Sequence, residues 1–272
     1  MAQLAEYASS RELLWNLTLR ELRGRYKRSV LGWTWSLLNP LSSVLIFSVV
    51  FGFFLQIKPP IGHPSGLDNF AAFLLCALLP WNYLSGAMTI SMDSLLGNAN
   101  LIRKVYFPRE ILVASTVCSL LVTFLIELCV LLAVLLLLGN MALPWIPVVL
   151  MLVAIQTVFV FGVALLLSVL NVYFRDVKHF VAIALTALFY SAPIVYPIRF
   201  VEQASKRTSF PLLRVYELNP LVRMVQAYRA VLYDLRFPPV ADILYLLGWA
   251  IGLLGLGLWV FSRLDRRLAE EV

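Results

Sequence analysis

Charge is scarce in this 272-residue chain: only 14% of its residues are Asp, Glu, Lys or Arg, and 61% are hydrophobic. Soluble domains carry about 25% charged and about 45–50% apolar residues, so this composition excludes an ordinary water-facing globule. The mean hydropathy of +0.86 says the same. Histidine is also rare: His63 and His179 are the only two, and they fall in loops expected on opposite sides of a membrane. That removes histidine pairs for acid–base or metal chemistry. The three cysteines, Cys76, Cys118 and Cys129, lie in apolar stretches without metal-ligand spacing and read as small buried hydrophobes. No G-x-x-x-x-G-K-[ST] is present, so any energy from ATP must come from another chain. The first thirty residues lack the apolar core and small-residue cleavage site of a signal peptide, so the first spanning segment is expected to direct insertion and to remain in place.

What is abundant is apolar length. A bilayer core of about 30 Å takes roughly 20 apolar residues per helix. Six stretches qualify, at residues 31–55, 70–92, 111–138, 147–170, 180–198 and 240–261. The fifth is short and carries Pro193 and Pro197, which predicts a break near its outer end. The fold class expected is an all-α polytopic membrane protein with six transmembrane helices per subunit. An amphipathic interface helix over residues 1–30 precedes a transmembrane domain over residues 31–272.

Orientation follows from the Lys and Arg distribution. Arg11, Arg20, Arg23, Arg25, Lys27 and Arg28 precede the first span; Arg103, Lys104, Arg109, Arg175 and Lys178 lie in two short loops of the same side; Arg263, Arg266 and Arg267 follow the last span. The opposite short loops carry only Lys58. Both termini are therefore expected in the cytoplasm, with the protein multi-pass in a bacterial inner (plasma) membrane.

Two segments are expected to be helical without spanning. Residues 199–239 carry seven basic side chains, and 219–235 has helical character with Asn219 as cap and Pro220 at the first helical position. Arg223 and Arg229 would each cost about 2.5–3.5 kcal/mol at mid-membrane on insertion scales. The segment therefore reads as a short re-entrant or surface-lying helix, with Leu221, Val222, Val225 and Leu232 on an apolar side. At the N-terminus, Ser9 and Glu12 have the spacing of a capping box, and Trp15, Leu19, Leu22 and Tyr26 form a stripe suited to a lipid interface.

The spans hold polar stripes. Ser36, Asn39, Ser43 and Phe47 follow one line of the first, and Asn82, Ser85, Thr89 and Asp93 one line of the second. They line a pathway or pack helices together; unsatisfied polar groups facing hydrocarbon are too costly to be neither. Aromatics gather around them: Trp33, Trp35, Phe47, Phe51, Trp81, Tyr83, Phe189, Tyr190 and Tyr196. Rings of this kind stack on sugar faces in a conduit or form interfacial belts. Glu127 is the one carboxylate deep in a span, either a proton relay or the partner of Gln156 across the hairpin. The loops 98–110 and 171–179 mix basic residues with Tyr-Phe pairs and are candidates for docking.

The run RGRYKRSVLGWTWSLLNPL at 23–41 resembles the start of ABC-2-type permeases that export polysaccharides and teichoic acids. RKVYFPRE at 103–110, YFRDV at 173–177, PIVYP at 193–197 and LNPL at 218–221 stand in the family's order. The resemblance implies a homodimer of six-helix subunits, each with a separate nucleotide-binding ATPase subunit carrying ATP and Mg, and no cofactor or metal on this chain. It implies a transporter rather than an enzyme, moving a lipid-linked glycan such as O-antigen or teichoic acid outward, with no nucleic acid involved. The channel would be lined by Trp33, Ser36, Asn39, Ser43, Phe47, Asn82, Ser85, Thr89 and Tyr190. Arg23, Arg25, Arg103, Lys104, Tyr106, Phe107, Arg109 and Glu110 would couple to the ATPase. Pro193, Tyr196, Pro197, Asn219, Pro220 and Arg223 would form an outer gate within residues 193–239. Alternatives are an ABC-2 permease for drugs or small lipids, and a secondary transporter. The outer arginines Arg199, Arg207, Arg214, Arg223, Arg229 and Arg236 would pair with lipid phosphates, or else with Glu202, Glu217 and Asp234.

Overall fold

Long runs of Leu, Val and Ile uninterrupted by Gly or Pro become long helices. Residues 110–137 contain neither, and they form the 28-residue helix α5, Glu110–Leu137. At 1.5 Å per residue it is about 42 Å long, more than a bilayer core needs. Gly139 stops it: φ is +82°, and the Asn140 amide turns back onto the Leu135 carbonyl at 2.9 Å, a closure open to glycine without penalty. The chain then enters α6, Ile146–Tyr173. The other long elements are α1 (Ala2–Tyr26), α3 (Phe70–Ser91) and α11 (Val240–Glu271), and the short ones are α2 (Thr34–Phe47), α4 (Ala99–Lys104), α7 (Val177–Ser191), α8 (Arg199–Arg207), α9 (Leu212–Glu217) and α10 (Pro220–Leu232). The computed structural model describes residues 2–26, 32, 34–54, 56, 59–104, 107–207 and 212–271, with side chains from Arg11 onward except at 26, 36, 39 and 265–271. The described residues are helical with connecting turns and contain no strand.

Among the described residues four helices are long and apolar enough to cross a membrane: Phe70–Ser91, Glu110–Leu137, Leu143–Tyr173 and Val240–Leu264. The first apolar stretch, and the fifth, expected to break near its outer end, give shorter apolar helices, Pro40–Phe54 and Val177–Ser191. In the first, Pro40 lies inside α2, and from Ser48 to Phe54 the chain widens into a π-helical turn. Proline removes one ladder donor and disturbs the turn before it. In the fifth, α7 ends at Ser191 because Ala192 precedes Pro193 and is extended, with ψ 147°.

Hydrogen bonds order the bundle's two ends. At one end the Asn140 amide of the α5–α6 turn donates to the Leu232 carbonyl at the end of α10 (3.0 Å). Tyr233 Oη donates to the Leu67 carbonyl (2.9 Å) just before α3. At the other end Asn171 Nδ2 of α6 donates to the Met92 carbonyl beyond α3 (2.8 Å), Lys178 of α7 pairs with Asp93, and Tyr173 Oη reaches the Leu264 carbonyl of α11 (3.4 Å). α1 lies at this second end too, where Arg25 Nη2 donates to Ser119 Oγ of α5 at 2.9 Å.

Three sequence expectations change here. Helix α1 starts at Ala2, so Ser9 and Glu12 lie within it and do not cap its start. Its packed face is Leu17, Thr18 and Leu22 against α5, while Trp15 is 65% exposed; the protein neighbour, not the lipid boundary alone, sets which stripe is buried. Gln156 does not bond Glu127. Its Nε2 donates to the Pro80 carbonyl (2.7 Å) and its Oε1 accepts from Tyr228 Oη (2.7 Å). Equal distance from a loop gives equal depth but not the same azimuth around the helix. Glu127 instead faces a crevice of about 30 Å³ lined by Leu37, Pro40 and Leu41 of α2 and Leu75 and Leu79 of α3, and has no hydrogen-bond partner among the described residues.

The core is aromatic at its centre. Tyr83 stacks on Phe124 with centroids 4.9 Å apart, and Tyr228 meets Phe124 edge-on at 6.3 Å. Because the Tyr228 hydroxyl is the donor to a fully buried amide oxygen, Tyr228→Phe leaves Gln156 Oε1 without a partner. The expected cost is about 1–3 kcal/mol of stability, read as a lowered melting temperature of the purified protein. A Gln156→Leu, Tyr228→Phe double variant should recover part of it, since both partners of the bond are then gone.

Candidate functional site

Three groups of candidate residues occupy three places. The first is a face shared by α2, α3 and α7. Asn82, Ser85 and Thr89 follow the less buried line of α3, opposite Tyr83, Leu84 and Ala87, which are buried. An aromatic chain spans the same face: Phe47 stacks on Phe189 at 6.1 Å, Trp81 meets Phe189 at 5.6 Å, and Tyr190 meets Phe189 edge-on at 5.2 Å. Ser43 is half-buried beside it and Tyr190 is 66% exposed. The structure thus brings Phe47, Asn82, Ser85 and Tyr190 onto one side of the subunit. Trp33 lies outside the described residues, as do the side chains of Ser36 and Asn39. Seen alone, this face offers rings for stacking and amide and hydroxyl groups for hydrogen bonding, with apolar Phe53 and Leu45 exposed nearby.

The second place is the break after α7. Of the six expected gate residues, Pro193 and Pro197 flank it, Tyr196 and Asn219 bond to the end of α7, and Pro220 and Arg223 lie in the first turn of α10. Tyr196 Oη donates to the Tyr190 carbonyl (2.7 Å) and lies 3.0 Å from Tyr216 Oη. Asn219 caps α10, its Oδ1 accepting from the Leu221 amide at 3.0 Å, and Pro220 occupies the first turn. Arg223 Nε donates to the Glu217 carbonyl (2.9 Å), its Nη1 pairs with Asp242 of α11 (2.7 Å), and its guanidinium lies 4.3 Å over the Tyr245 ring. Pro193 and Pro197 flank the break itself.

Sequence reasoning missed the group that holds this region together. Arg229 of α10 is 4% exposed. Its Nη1 donates to the Pro193 carbonyl, its Nη2 to the Ile194 carbonyl (2.6 Å) and its Nε to the Phe73 carbonyl (3.3 Å), while its Cζ sits 3.6 Å above the Phe73 ring. The extended backbone at the proline break leaves carbonyls that no helix satisfies, and the guanidinium fork fills that need. Helix α10 is correspondingly buried almost all round, from Leu221 to Leu232, so it is not a surface-lying helix. Of the two readings of the outer arginines, phosphate contact or local pairing, Arg236 follows the second and pairs with Asp234 at 3.2 Å, while Arg223 and Arg229 are committed within the fold to Asp242 and to backbone carbonyls. The one available signal was the cost of an arginine in an apolar helix. Its partners are backbone carbonyls, which leave no trace in side-chain pattern.

The third place is the end of the bundle that carries α1. Arg20 Nη2 donates to Asn98 Oδ1 (2.6 Å), tying α1 to the turn before α4. Arg23 lies with Asn16, Leu19, Arg20 and Gly24 along a shallow groove. Arg103 and Lys104 end α4 and are exposed, whereas Phe107 packs on the core and Arg109 and Glu110 are half-buried at the start of α5. Arg25 faces inward to Ser119 and is part of the helix packing. Tyr106 lies outside the described residues. Among the described residues no three His, Cys, Asp or Glu side chains are grouped to hold a metal.

A chain with four apolar helices of bilayer length among its described residues is a multi-pass membrane protein. The chain belongs to the ABC-2 type transporter family, whose model matches residues 12–233. It is a transporter component and not an enzyme. It is 30% identical over 262 residues to an O-antigen export system permease protein RfbA of Klebsiella pneumoniae, covering 95% of this chain and 94% of the relative. It is 29% identical over 262 residues to the protein of that name from Myxococcus xanthus, covering 96% of each. A polysialic acid transport protein, KpsM of Escherichia coli, is 25% identical over 212 residues, 75% of this chain and 78% of the relative.

Proposed function

We propose that this chain is the transmembrane permease subunit of an ATP-driven exporter that carries a lipid-linked cell-envelope polysaccharide from the cytoplasm outward. The similarity to O-antigen export permeases along 95% of the chain carries this reading. The polar-aromatic face adds a physical reason: Phe47, Phe189 and Tyr190 offer stacking surfaces beside Asn82 and Ser85, a combination suited to successive sugar rings. A polar face left against lipid is costly, so a second copy of the chain covers it and closes a conduit between two subunits. In this reading α2 with its π-helical extension and α7 are the first and fifth of six spans. Both termini lie in the cytoplasm of a bacterial inner membrane, and α8–α10 are re-entrant.

Trp33, Ser36, Asn39, Ser43 and Thr89 then line the conduit with the residues just named. Arg23, Arg103, Lys104, Tyr106, Phe107, Arg109 and Glu110 face a separate ATPase subunit that holds ATP and Mg. The segment around Pro193, Tyr196, Pro197, Asn219, Pro220 and Arg223 closes the outer mouth. The test is gentle extraction of the tagged chain from its own cells. Co-purification of an ATPase whose hydrolysis depends on the permease, together with loss of surface polysaccharide on deletion, is expected. Recovery without any ATPase, or a deletion strain with unchanged surface glycan, would sink this reading.

A further inference from the structure

Glu127 lies about 15 Å from the Leu137 end of α5, at 1.5 Å per residue, and is 9% exposed. Its side chain faces a crevice of about 30 Å³ between α5, α2 and α3. The other lining residues among those described are leucines, valines and Pro40. No second charged or titratable side chain lines that space from any of the three helices among the described residues. Gln156, the polar group at the same depth, is committed to Pro80 and Tyr228, and no hydrogen bond or ion pair reaches the Glu127 carboxyl among the described residues.

An ionised carboxylate in such a place is costly unless something neutralises it. A crevice of this size admits about two waters, and a buried water needs about 2–4 polar partners where here it finds the carboxyl alone. A metal cation needs about six oxygen ligands, and the wall offers only this one carboxyl. The cation that fits is a proton. We propose that Glu127 is a proton-binding site that sets how firmly α2 packs on α3 and α5. With the proton bound, the carboxyl is neutral and carries an O–H donor. Pro40, on the same crevice, has no N–H, so the Ser36 carbonyl four residues earlier lacks its helical donor on that side of α2. The neutral acid therefore suits both the apolar wall and the proline-interrupted helix. Loss of the proton leaves a bare charge, which draws water into the crevice and loosens α2. The packed form is thus most stable at low pH and weakens as pH rises through the titration of this group. With no second titratable group in the crevice to pass the proton on, the site is a local switch and not a relay. Phe47 at the end of α2 stacks on Phe189, so loosening α2 disturbs the polar-aromatic face. The consequence for a conduit rests on the export reading above; the proton site does not.

The test uses the full chain purified in lipid nanodiscs. Infrared difference spectra between the native protein and Glu127→Gln should show the C=O stretch of a protonated carboxyl at about pH 6, where an exposed Glu is ionised. The band should shift in heavy water and fade as pH rises. Over the same range, deuterium exchange of residues 34–54, corrected for its intrinsic pH dependence, should rise severalfold in the native protein and stay level in Glu127→Gln. Glu127→Leu, apolar like the wall, should also lack the band and the pH response. Melting temperatures establish folding, and at alkaline pH both variants should melt at or above the native protein. A native spectrum without the band, or exchange that rises alike in native and variant proteins, would overturn the proposal. So would a failure of both variants to fold, since packing would then need the charge. Neither readout involves transport: a missing band in a chain that exports glycan refutes the proton site alone, and a band in a chain that exports none refutes the export reading alone.

Discussion

Arg229→Met is expected to cost the protein several kcal/mol and to abolish transport. The substitution removes the donors to the carbonyls of Phe73, Pro193 and Ile194 in one step, in a place where water does not replace them. Each buried acceptor left unmade costs about 1–3 kcal/mol. Methionine matches arginine's length, so the loss is one of hydrogen bonds and not of volume. Arg229→Lys keeps the charge but presents an ammonium that cannot address acceptors on two separate segments with planar geometry, and it should recover only part of the stability. Arg223→Met is the comparison. Its side chain is 24% exposed and its partner Asp242 25%, and pairs of that kind contribute up to about 1 kcal/mol. Melting of the three purified variants should rank them Arg223→Met, Arg229→Lys, Arg229→Met in order of increasing damage. Equal effects at 223 and 229 would mean that the carbonyl cage is not what holds the break.

The same arginine marks the boundary of what the chain's residues reveal before folding. The spans over α3, α5, α6 and α11 were legible because apolar runs of bilayer length have few other fates. Asn219 and Pro220 announced the start of α10, since capping chemistry is local. Pro193 announced the end of α7 for the same reason. Where burial is decided by a neighbour, the pattern failed. The stripe Trp15, Leu19, Leu22, Tyr26 reads as the apolar side of α1, yet α5 covers Leu17 and Thr18 beside Leu22 and leaves Trp15 exposed. Glu127 and Gln156 share a depth, yet Gln156 turns to Pro80 and Tyr228. The polar-aromatic face was partly legible: the stripe Asn82, Ser85, Thr89 has helical period, but that Phe189 would bridge Phe47 and Trp81 depends on how α7 is set against α2 and α3.

Even one methyl group at Gly162 should dismantle the contact between α6 and α11. A Cβ built there would lie 2.5 Å from the backbone carbon of Leu253 and from the backbone nitrogen of Leu254. From the other side, a Cβ at Gly257 would lie 2.5 Å from the Gly162 carbonyl oxygen. These neighbours are main chain, and a helix backbone cannot step aside as a side chain does. Helices in lipid associate through close packing of small residues rather than through expulsion of water, so forcing them apart forfeits the main attraction. Overpacking of ordinary cores costs about 1–3 kcal/mol, and Gly162→Ala should reach or exceed the upper end of that range. Gly162→Leu should leave no folded protein in the membrane. Glycine as such is not the cause: nothing lies within 4 Å of a Cβ at Gly248 or Gly255 on the same helix α11. Gly255→Ala should be neutral or gain up to about 1 kcal/mol from helix propensity. Melting temperature and the yield of monodisperse protein on gel filtration separate the two cases. If Gly162→Ala and Gly255→Ala behave alike, the two helices are not in backbone contact, and the packing of α11, with the Arg223–Asp242 tie that anchors its first turn, needs another basis.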